Sequence, residues 1–248
     1  MTRRRTNSTK LEIIQTATKL FLEQGYSATS PRMISDALNI STGNLTYYFP
    51  TKEHILTELV DMLIGFQWKL MEEEANDGIS SVQAICLELT SMASACEDDP
   101  VLREFFLASY QSPMCLAIIQ ENDTHRAGDV FRPYCPDWSD EQFAEAEILV
   151  SGIEYATLMA SGGPVPLETR ITGALHSILG IYNIPEEMRK TKLQKVFALD
   201  YKKLGDQARE SFRKYVTETN EQAFRDLLQQ RKRNRGAPMK TLCQEENL

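Results

Sequence analysis

Apolar residues recur three and four positions apart along most of this chain, which is the period of an α-helix. No run alternates between apolar and polar residues as a half-buried strand does. The spacing predicts a first helix over residues 8–24, with Ile13, Ala17 and Phe21 on its apolar side and Gly25 as its C-terminal stop. Further helices are predicted over residues 31–38, 42–49 and 52–76.

The periodicity is weaker beyond Gly78, where the breaks are marked by "EDDP", "RPYCPDWSD", "SGGPVP" and "YNIPEE". The last residues, from Arg231 onward, are polar and resemble a frayed tail. The pattern therefore predicts an all-α fold with a small three-helix head and a larger helical body. The helices predicted in the body cover residues 80–96, 99–111, 113–127, 140–161, 166–182, 186–204 and 205–232.

The charge is distributed unevenly between these two parts. The 248 residues carry a net charge of −8, but residues 1–52 hold seven Lys or Arg against three acidic residues. A basic head on an acidic chain is expected if only the head binds a polyanion such as double-stranded DNA. No apolar run is long enough to span a membrane, and the basic start is followed by a polar stretch, so we expect a cytoplasmic protein.

Two helix starts separated by a short turn lie within the head. Ser30 and Ser41 each occupy an N-cap position, and Pro31 occupies the first helical position, where its missing N–H costs nothing. Asn39, between the helices, tolerates the left-handed backbone conformation. Two short helices joined by a turn of three to four residues form a helix-turn-helix.

The second of these helices has an exposed side that does not suit a protein core. Leu45 and Phe49 are four residues apart and define its buried side. Alone, a short helix with glycine and tyrosines is more commonly an ordinary surface helix. Together with the turn spacing and the local positive charge, this side indicates DNA binding. At 100° per residue, Gly43 and Tyr47 point away from the core, flanked by Asn44 and Thr46, with Tyr48 to one side.

Each exposed residue type has a chemical use against DNA. Gly43 permits close approach, Asn44 can donate and accept at base edges, and the Thr46 methyl can contact a thymine methyl. Hydroxyl and basic groups at the neighbouring helix starts can bind phosphates, and three N-terminal arginines can act as a flexible arm. These phosphate-binding candidates are Thr42, Tyr47, Tyr48, Lys52, Arg32 and Ser30, with Arg3, Arg4 and Arg5 in the arm.

Residues 9–56, "TKLEIIQTATKLFLEQGYSATSPRMISDALNISTGNLTYYFPTKEHIL", resemble the N-terminal domain of TetR/AcrR-type transcriptional regulators. That family shares an I-L-x-A-A…L-F…G-Y first helix, a T-x-x-x-I-A second helix, an A-G-V-S-x-G-x-L-Y-x-x-F recognition segment and a K-E-x-L opening of the fourth helix. The spacings hold throughout. Thr46 departs from the pattern because a tyrosine is common there, and Leu38-Asn39 replaces the usual Ala-Gly.

The resemblance implies a homodimer on a palindromic operator, with repression relieved by a small-molecule effector. It implies a DNA-binding domain over residues 1–52, a ligand-binding and dimerisation domain over 53–232, and a polar tail over 233–248. It also assigns DNA contact to the positions that match the family's motif. These are Ser30, Arg32, Thr42, Gly43, Asn44, Tyr47, Tyr48 and Lys52.

The body offers a dimerisation surface and a possible pocket without defining ligand residues. Residues 144–163 and 171–182 are apolar on more than one side and can form a four-helix dimer bundle, in which Ile153 and Leu179 are expected contacts. Aromatic and Met side chains at helical spacing are more often core than pocket. The candidates are Phe66, Trp68, Met92, Phe105, Phe106, Tyr110, Phe131, Tyr134 and Tyr155.

Enzymatic and metal chemistry find no support in the sequence. The five cysteines and three histidines show no metal-ligand spacing, so neither a metal nor a cofactor is predicted. No nucleophile motif, P-loop or HExxH is present. Two alternatives stay open: a DNA-binding or protein-interaction factor that needs no ligand, and an enzyme acting on DNA. Ligand-dependent loss of DNA affinity tests the first, and a cleavage assay with Mg²⁺ tests the second.

Overall fold

The computed structural model describes residues 2–76 and 80–226, and the side chains of residues 8–67, 70 and 80–226. All regular structure in these ranges is helical, so the predicted all-α fold is confirmed. The helices are α1 (Thr2–Gln24), α2 (Pro31–Ala37), α3 (Thr42–Tyr48), α4 (Lys52–Asn76), α5 (Ser81–Asp98), α6 (Pro100–Gln111), α7 (Pro113–Phe131), α8 (Asp140–Met159), α9 (Leu167–Ile181), α10 (Glu186–Phe197) and α11 (Tyr201–Glu218).

The head consists of α1, α2 and α3, and α4 runs from it into the body. Ile14 of α1, Leu45 of α3 and Leu56 of α4 are almost completely buried in one hydrophobic core that continues into the body. Helix α5 lies centrally in the body and packs against α4, α6, α9, α10 and α11. The head thus packs against helices that also form the body.

Helix α1 begins earlier than the apolar pattern predicts. It starts at Thr2 rather than residue 8, so Arg3, Arg4 and Arg5 lie in its first turns and not in a flexible arm. Residues 2–7, the first six of the helix, carry no apolar stripe, so periodicity gave no signal for them. The polar tail over 233–248 lies outside the described residues.

The predicted boundary between the last two helices, 186–204 and 205–232, is wrong. Helix α10 ends at Phe197, and α11 begins at Tyr201 because the Asp200 side chain accepts a hydrogen bond from the Lys203 N–H as its N-cap. Gly205, the predicted first residue of the last helix, lies inside α11. A Cβ there would approach the Ser91 carbonyl oxygen to 3.2 Å, so the glycine allows close packing against α5. After Glu218, residues 221–226 form a further short helix.

Candidate nucleic-acid interface

The turn between α2 and α3 is built by capping residues, as predicted. The Ser30 hydroxyl accepts from the Met33 N–H at 3.2 Å, and the Ser41 hydroxyl accepts from the Asn44 N–H at 3.1 Å. Asn39 adopts a φ of 53°, and the next amide, of Ile40, donates to the Ser35 carbonyl oxygen at 3.0 Å. A left-handed residue after the helix, followed by this longer-range bond, ends α2 within one turn.

Helix α3 presents the predicted side to solvent. Leu45 and Phe49 are 1% and 4% exposed, whereas Tyr47 is 78% exposed. A tyrosine normally buries much of its ring, so such exposure leaves a large amphipathic group available for a partner. The residues around Tyr47 on this face, Gly43, Asn44 and Thr46, are all exposed.

The two tyrosines differ in their surroundings. Their rings meet edge to face with centroids 5.1 Å apart, and Tyr48 is half-buried against the core. Tyr48 therefore supports the Tyr47 ring from one side, as well as placing its own hydroxyl at the edge of the exposed face. The Thr46 hydroxyl donates to the Gly43 carbonyl oxygen at 3.1 Å within the helix.

The start of α2 adds an exposed basic residue. The Arg32 side chain is 84% exposed, and its Nε lies 3.7 Å from Asp36, which is a loose ion pair of little energetic value. Arg32 is therefore able to reach a phosphate. Ser35 is buried and faces the neighbouring helix, where its hydroxyl donates to the Arg32 carbonyl oxygen and lies 3.3 Å from the Thr42 hydroxyl. This contact fixes α3 against α2.

Lys52 is directed into the head. Its ammonium donates to the carbonyl oxygens of Tyr26 and Thr29 at 2.6 and 2.9 Å, and lies 4.1 Å from the centroid of the Tyr26 ring. Burial lowers the pKa of Lys52, while the negative charge of Glu104 opposes that effect. Two of the three ammonium donors are thus used within the chain, and one is left for a phosphate. DNA contact by Lys52 stays a prediction, beside an observed bracing role.

Replacing Lys52 by Met should destabilise the DNA-free protein by about 1–3 kcal/mol, because it leaves two partly buried carbonyl groups without their charged donor. Calorimetric melting of the purified protein measures this effect. Arg32→Met is the matched control, and its melting temperature should stay within the small range typical of exposed substitutions. Equal melting temperatures for the two variants would show that Lys52 does not brace the head.

Three contacts of the head carry no signal in the sequence. Lys10 of α1 lies 5.5 Å from the centroid of the Phe49 ring, which adds a basic group at the C-terminal end of α3. Gln15 places its amide nitrogen 3.0–3.1 Å from three carbonyl oxygens at the end of α11. Glu104 of α6 accepts from the Ser27 N–H at 2.7 Å. Each contact joins residues that are distant in sequence. The sequence showed only that Lys10 belongs to the basic head.

Gly25 is needed where the head meets Glu104. Its φ is +97°, which is a left-handed conformation that side chains rarely adopt, and a Cβ there would lie 2.5 Å from a Glu104 carboxylate oxygen. The predicted C-terminal stop is therefore confirmed, with an additional steric reason.

The body contains a cavity of about 240 Å³ between α4, α5, α6 and α11. Of the aromatic and Met candidates, Phe66, Met92, Phe105 and Phe106 line it. Phe131 instead stacks on Tyr182 with ring centroids 4.1 Å apart, Tyr134 contacts Met188, and the Trp68 side chain lies outside the described residues. Tyr110 lines a smaller adjoining cavity, and its ring centroid lies 6.4 Å from that of Tyr155. Four of the nine candidates thus line the main cavity, because helical spacing does not distinguish a pocket wall from a filled core.

Beside this cavity lies a buried acidic cluster, defined by Glu88, Asp123, Glu147, Glu154 and their one cation, Arg126. Arg126 is 7% exposed and pairs with Glu88 at 2.8 Å and Asp123 at 3.3 Å. Glu147 is 4% exposed and accepts a hydrogen bond from the Tyr182 hydroxyl. Burial, and then the nearby Asp123, raise the pKa of Glu147 to about 8.

The acidic cluster predicts a loss of stability as the pH rises. In the folded protein Glu147 keeps its proton up to about pH 8, whereas an unfolded glutamate loses it near pH 4.5. The free energy of unfolding should therefore fall between these values, by up to about 1.4 kcal/mol per pH unit for one group. Thermal melts from pH 5 to 8 measure the slope, and Glu147→Gln should flatten it. An unchanged slope in that variant would contradict the assignment.

The four described cysteines are buried with free thiols, and no helix among the described residues has the length and apolar character to cross a bilayer.

Comparison with known proteins supports the identification of the head. Residues 13–59 match the model of "Bacterial regulatory proteins, tetR family". The chain is 33% identical over 86 residues to a probable HTH-type transcriptional regulator, YttP, of Bacillus subtilis, and 43% identical over 49 residues to the uncharacterized HTH-type regulator YuxN of the same organism. These matches cover 33% and 20% of this chain, and 40% and 17% of the relatives' own lengths.

The fold extends the likeness beyond the head. The FadR repressor of Thermus thermophilus, a TetR family protein solved in complex with lauroyl-CoA, superposes with a TM-score of 0.53 at 16% identity. That match covers 71% of this chain and 96% of FadR, and at this identity it shows the shared fold alone. Residues 13–59 thus match the N-terminal helix-turn-helix domain of the tetR family of bacterial regulatory proteins, and the described all-helical fold is similar to that of FadR.

Proposed function

We propose that the protein is a homodimeric transcriptional repressor that binds a palindromic DNA operator through α3 of each subunit and is released by a small-molecule effector. The observation that carries the proposal is the exposed face of α3, with Tyr47 at 78% exposure beside exposed Gly43, Asn44 and Thr46. This face lies on α3, whose start and that of α2 are both capped by serine side chains, and it is exposed to solvent in the described part of the chain.

The proposed DNA contacts fall into two groups. Asn44 and Thr46 lie on the face that would enter the major groove, so they are proposed to contact base edges. Hydroxyl and basic side chains around that face are proposed to contact phosphates and to fix the orientation of the protein. The second group comprises Ser30, Arg32, Thr42, Tyr47, Tyr48, Lys52 and the additional residue Lys10, with Gly43 allowing close approach.

The proposed dimer interface lies on α8 and α9, but not at both predicted residues. Leu179 is 0% exposed and belongs to the core of one subunit, so a charge there would unfold the chain rather than separate two subunits. Ile153 is half-buried against the core. The exposed apolar residues on α8 are instead Ile148, Leu149 and Met159, at 60%, 56% and 60% exposure. An apolar stripe of this kind on one helix is typical of an association surface.

The proposed effector acts through helices that both line the cavity and hold the head. Helix α6 contributes Phe105 and Phe106 to the cavity, and its Glu104 accepts from the Ser27 N–H in the loop that leads into α2. Helix α11 also lines the cavity, and its end is bound by Gln15 of α1. A ligand that shifts α6 or α11 would therefore change the position of the head. FadR, solved with lauroyl-CoA, is consistent with a ligand site in this fold.

The two alternatives from the sequence are distinguished by experiment. A ligand-independent DNA-binding factor would use the same α3 face, and loss of DNA affinity on ligand addition separates it from the repressor. An enzyme acting on DNA would cleave or modify a bound duplex, and a cleavage assay with Mg²⁺ tests for that activity. We propose no enzymatic activity, and we place the protein in the cytoplasm, with the bacterial DNA.

Selection of bound duplexes from random DNA tests the proposed function. We expect enrichment of a palindrome whose half-sites are centred about one helical turn, about 34–36 Å, or a multiple of it apart. The selection is done near physiological salt, because low salt strengthens sequence-independent phosphate contacts. Failure to enrich any sequence under that condition would contradict the proposal.

A further inference from the structure

The cavity has an apolar wall that includes four aromatic rings. Phe66, Phe105, Phe106 and Phe212 all line it, so rings from α4, α6 and α11 surround the space. The faces of aromatic rings attract cations, and the interaction is stronger where water is excluded. The cavity volume of about 240 Å³ is below the range typical of pockets for drug-sized ligands, so a small ligand is expected.

One end of the cavity is acidic. Gln67 and Glu88 line both this cavity and an adjoining one of about 40 Å³, whose wall also includes Asp123, Arg126 and Glu154. Three carboxyl groups therefore face one guanidinium. Since Arg126 is paired with Glu88 and Asp123, Glu154 is left with a hydrogen bond from the Tyr110 hydroxyl at 2.8 Å and no ion pair within the described part of the chain.

No unpaired basic group faces either space among the described lining residues. Apart from Arg126, the basic side chain on these walls is Arg209, which pairs with Asp99 at 2.9 Å and Asp206 at 3.3 Å. An anionic ligand would have to break one of these pairs or lie unpaired beside carboxyl groups, which is costly in a partly buried site. A cationic ligand would instead lie beside carboxyl groups of opposite charge and would break no ion pair.

We propose that this cavity binds a small apolar cation, an amine or a quaternary ammonium compound, with its apolar part against the phenylalanine rings and its charge directed at Glu88 and Glu154. The inference rests on the proposed function, because the ligand is the effector that releases the DNA. It differs from the acyl-CoA ligand of the FadR structure in the sign of the charge.

The protonation of the acidic cluster agrees with this assignment. Burial, and then the neighbouring Asp123 and Glu147, raise the pKa of Glu154 well above its usual range. Burial also raises the pKa of Asp123 to about 6. Retained protons thus reduce the negative charge of the cluster, and a bound cation would displace them.

Three probes with the same alkyl chain test the sign of the charge: octyltrimethylammonium, octanol and octanoate. Their binding to the DNA-free full-length protein is measured by titration calorimetry below the concentration at which micelles form. We expect the affinity of the ammonium compound to be at least about tenfold higher than that of octanol, and the affinity of octanoate to be the lowest. Tightest binding of octanoate, equal binding of all three or no binding of any of them overturns the proposal.

Two variants locate the site. Glu154→Gln keeps an acceptor for the Tyr110 hydroxyl but removes the charge, so it should weaken ammonium binding about tenfold and leave octanol binding unchanged. Ala208→Leu fills part of the cavity wall and should weaken all three probes. Glu210→Gln is the matched control, because Glu210 is exposed on α11 and pairs with Arg213. Equal ammonium binding by Glu154→Gln and Glu210→Gln, with both folded by melting, contradicts the assignment.

The same experiment separates this proposal from the proposed function. Binding is measured without DNA, and operator release is then measured with the same probe. Tight ammonium binding without release supports the ligand class and contradicts release by an effector. Absence of ammonium binding in a protein that binds its operator contradicts the ligand class alone.

Discussion

Replacing Ile148 and Leu149 together by Glu should convert the proposed dimer to a folded monomer. The two side chains are 60% and 56% exposed in the single subunit, so their replacement leaves the core of the subunit unchanged. In the proposed dimer they are buried, and two pairs of carboxylates without partners at such an interface cost several kcal/mol. Light scattering over a concentration series measures the mass, and thermal melting establishes that the monomer is folded.

The loss of the dimer should also abolish tight operator binding. A single head contacts one half-site, so the affinity of the monomer should fall by about 10²-fold or more, as expected when two linked binding events become one. Gln194→Glu, an exposed change on α10, is the control and should remain dimeric on DNA. A double variant that keeps the mass of a dimer would place the interface on another surface.

Replacing Tyr47 by Ala should remove DNA affinity without affecting folding. The side chain is exposed and contacts chiefly the ring of Tyr48, so we expect a change in stability below about 0.5 kcal/mol. Loss of one contact of about 1–3 kcal/mol per half-site should weaken operator binding about tenfold to a hundredfold in each subunit. Fluorescence anisotropy with labelled operator measures the affinity.

Two further variants sharpen that result. Tyr47→Phe keeps the ring and removes the hydroxyl, so a loss similar to that of Tyr47→Ala assigns the contact to a phosphate or base through the hydroxyl. Glu141→Ala, exposed at the start of α8, should leave both affinity and stability unchanged. If Tyr47→Ala instead lowers the melting temperature by many degrees, the ring belongs to the core and the exposed face of α3 has been assigned incorrectly.

The head could be predicted in detail because its signals are local. Ser30 and Ser41 accept hydrogen bonds from amides three residues ahead, and Asn39 ends α2 through its own left-handed backbone conformation. The exposed side of α3 follows from helical geometry around Leu45 and Phe49. Local capping and periodicity are what a single sequence records well.

The roles of other residues depend on contacts across the fold. Lys52 binds carbonyl groups 23 and 26 residues away, so its position at a helix start suggested only a phosphate contact. Leu179 has the apolar character expected of an interface, yet packing of α9 against neighbouring helices buries it completely. The boundary between the last two helices was predicted at residues 204 and 205 instead of at Asp200, and Gly205 serves helix packing inside α11.

The acidic cluster shows the same limit more clearly. Glu88, Asp123, Glu147 and Glu154 are spread over three helices, and in sequence each is an ordinary charged residue on a helix. Only the packing of α5, α7 and α8 brings them to one buried site with a single arginine. The chemistry of a ligand cavity in such a fold is therefore set by tertiary structure.

The central claim is that the α3 helices of two subunits bind adjacent turns of one operator. Inserting about half a helical turn, about five base pairs, between the half-sites of the selected duplex tests it most directly, because the insertion rotates one half-site to the opposite side of the DNA. Anisotropy over a series of salt concentrations should show the affinity falling to that for unrelated DNA, with the same dependence on salt. Unchanged affinity for the lengthened duplex would contradict the account.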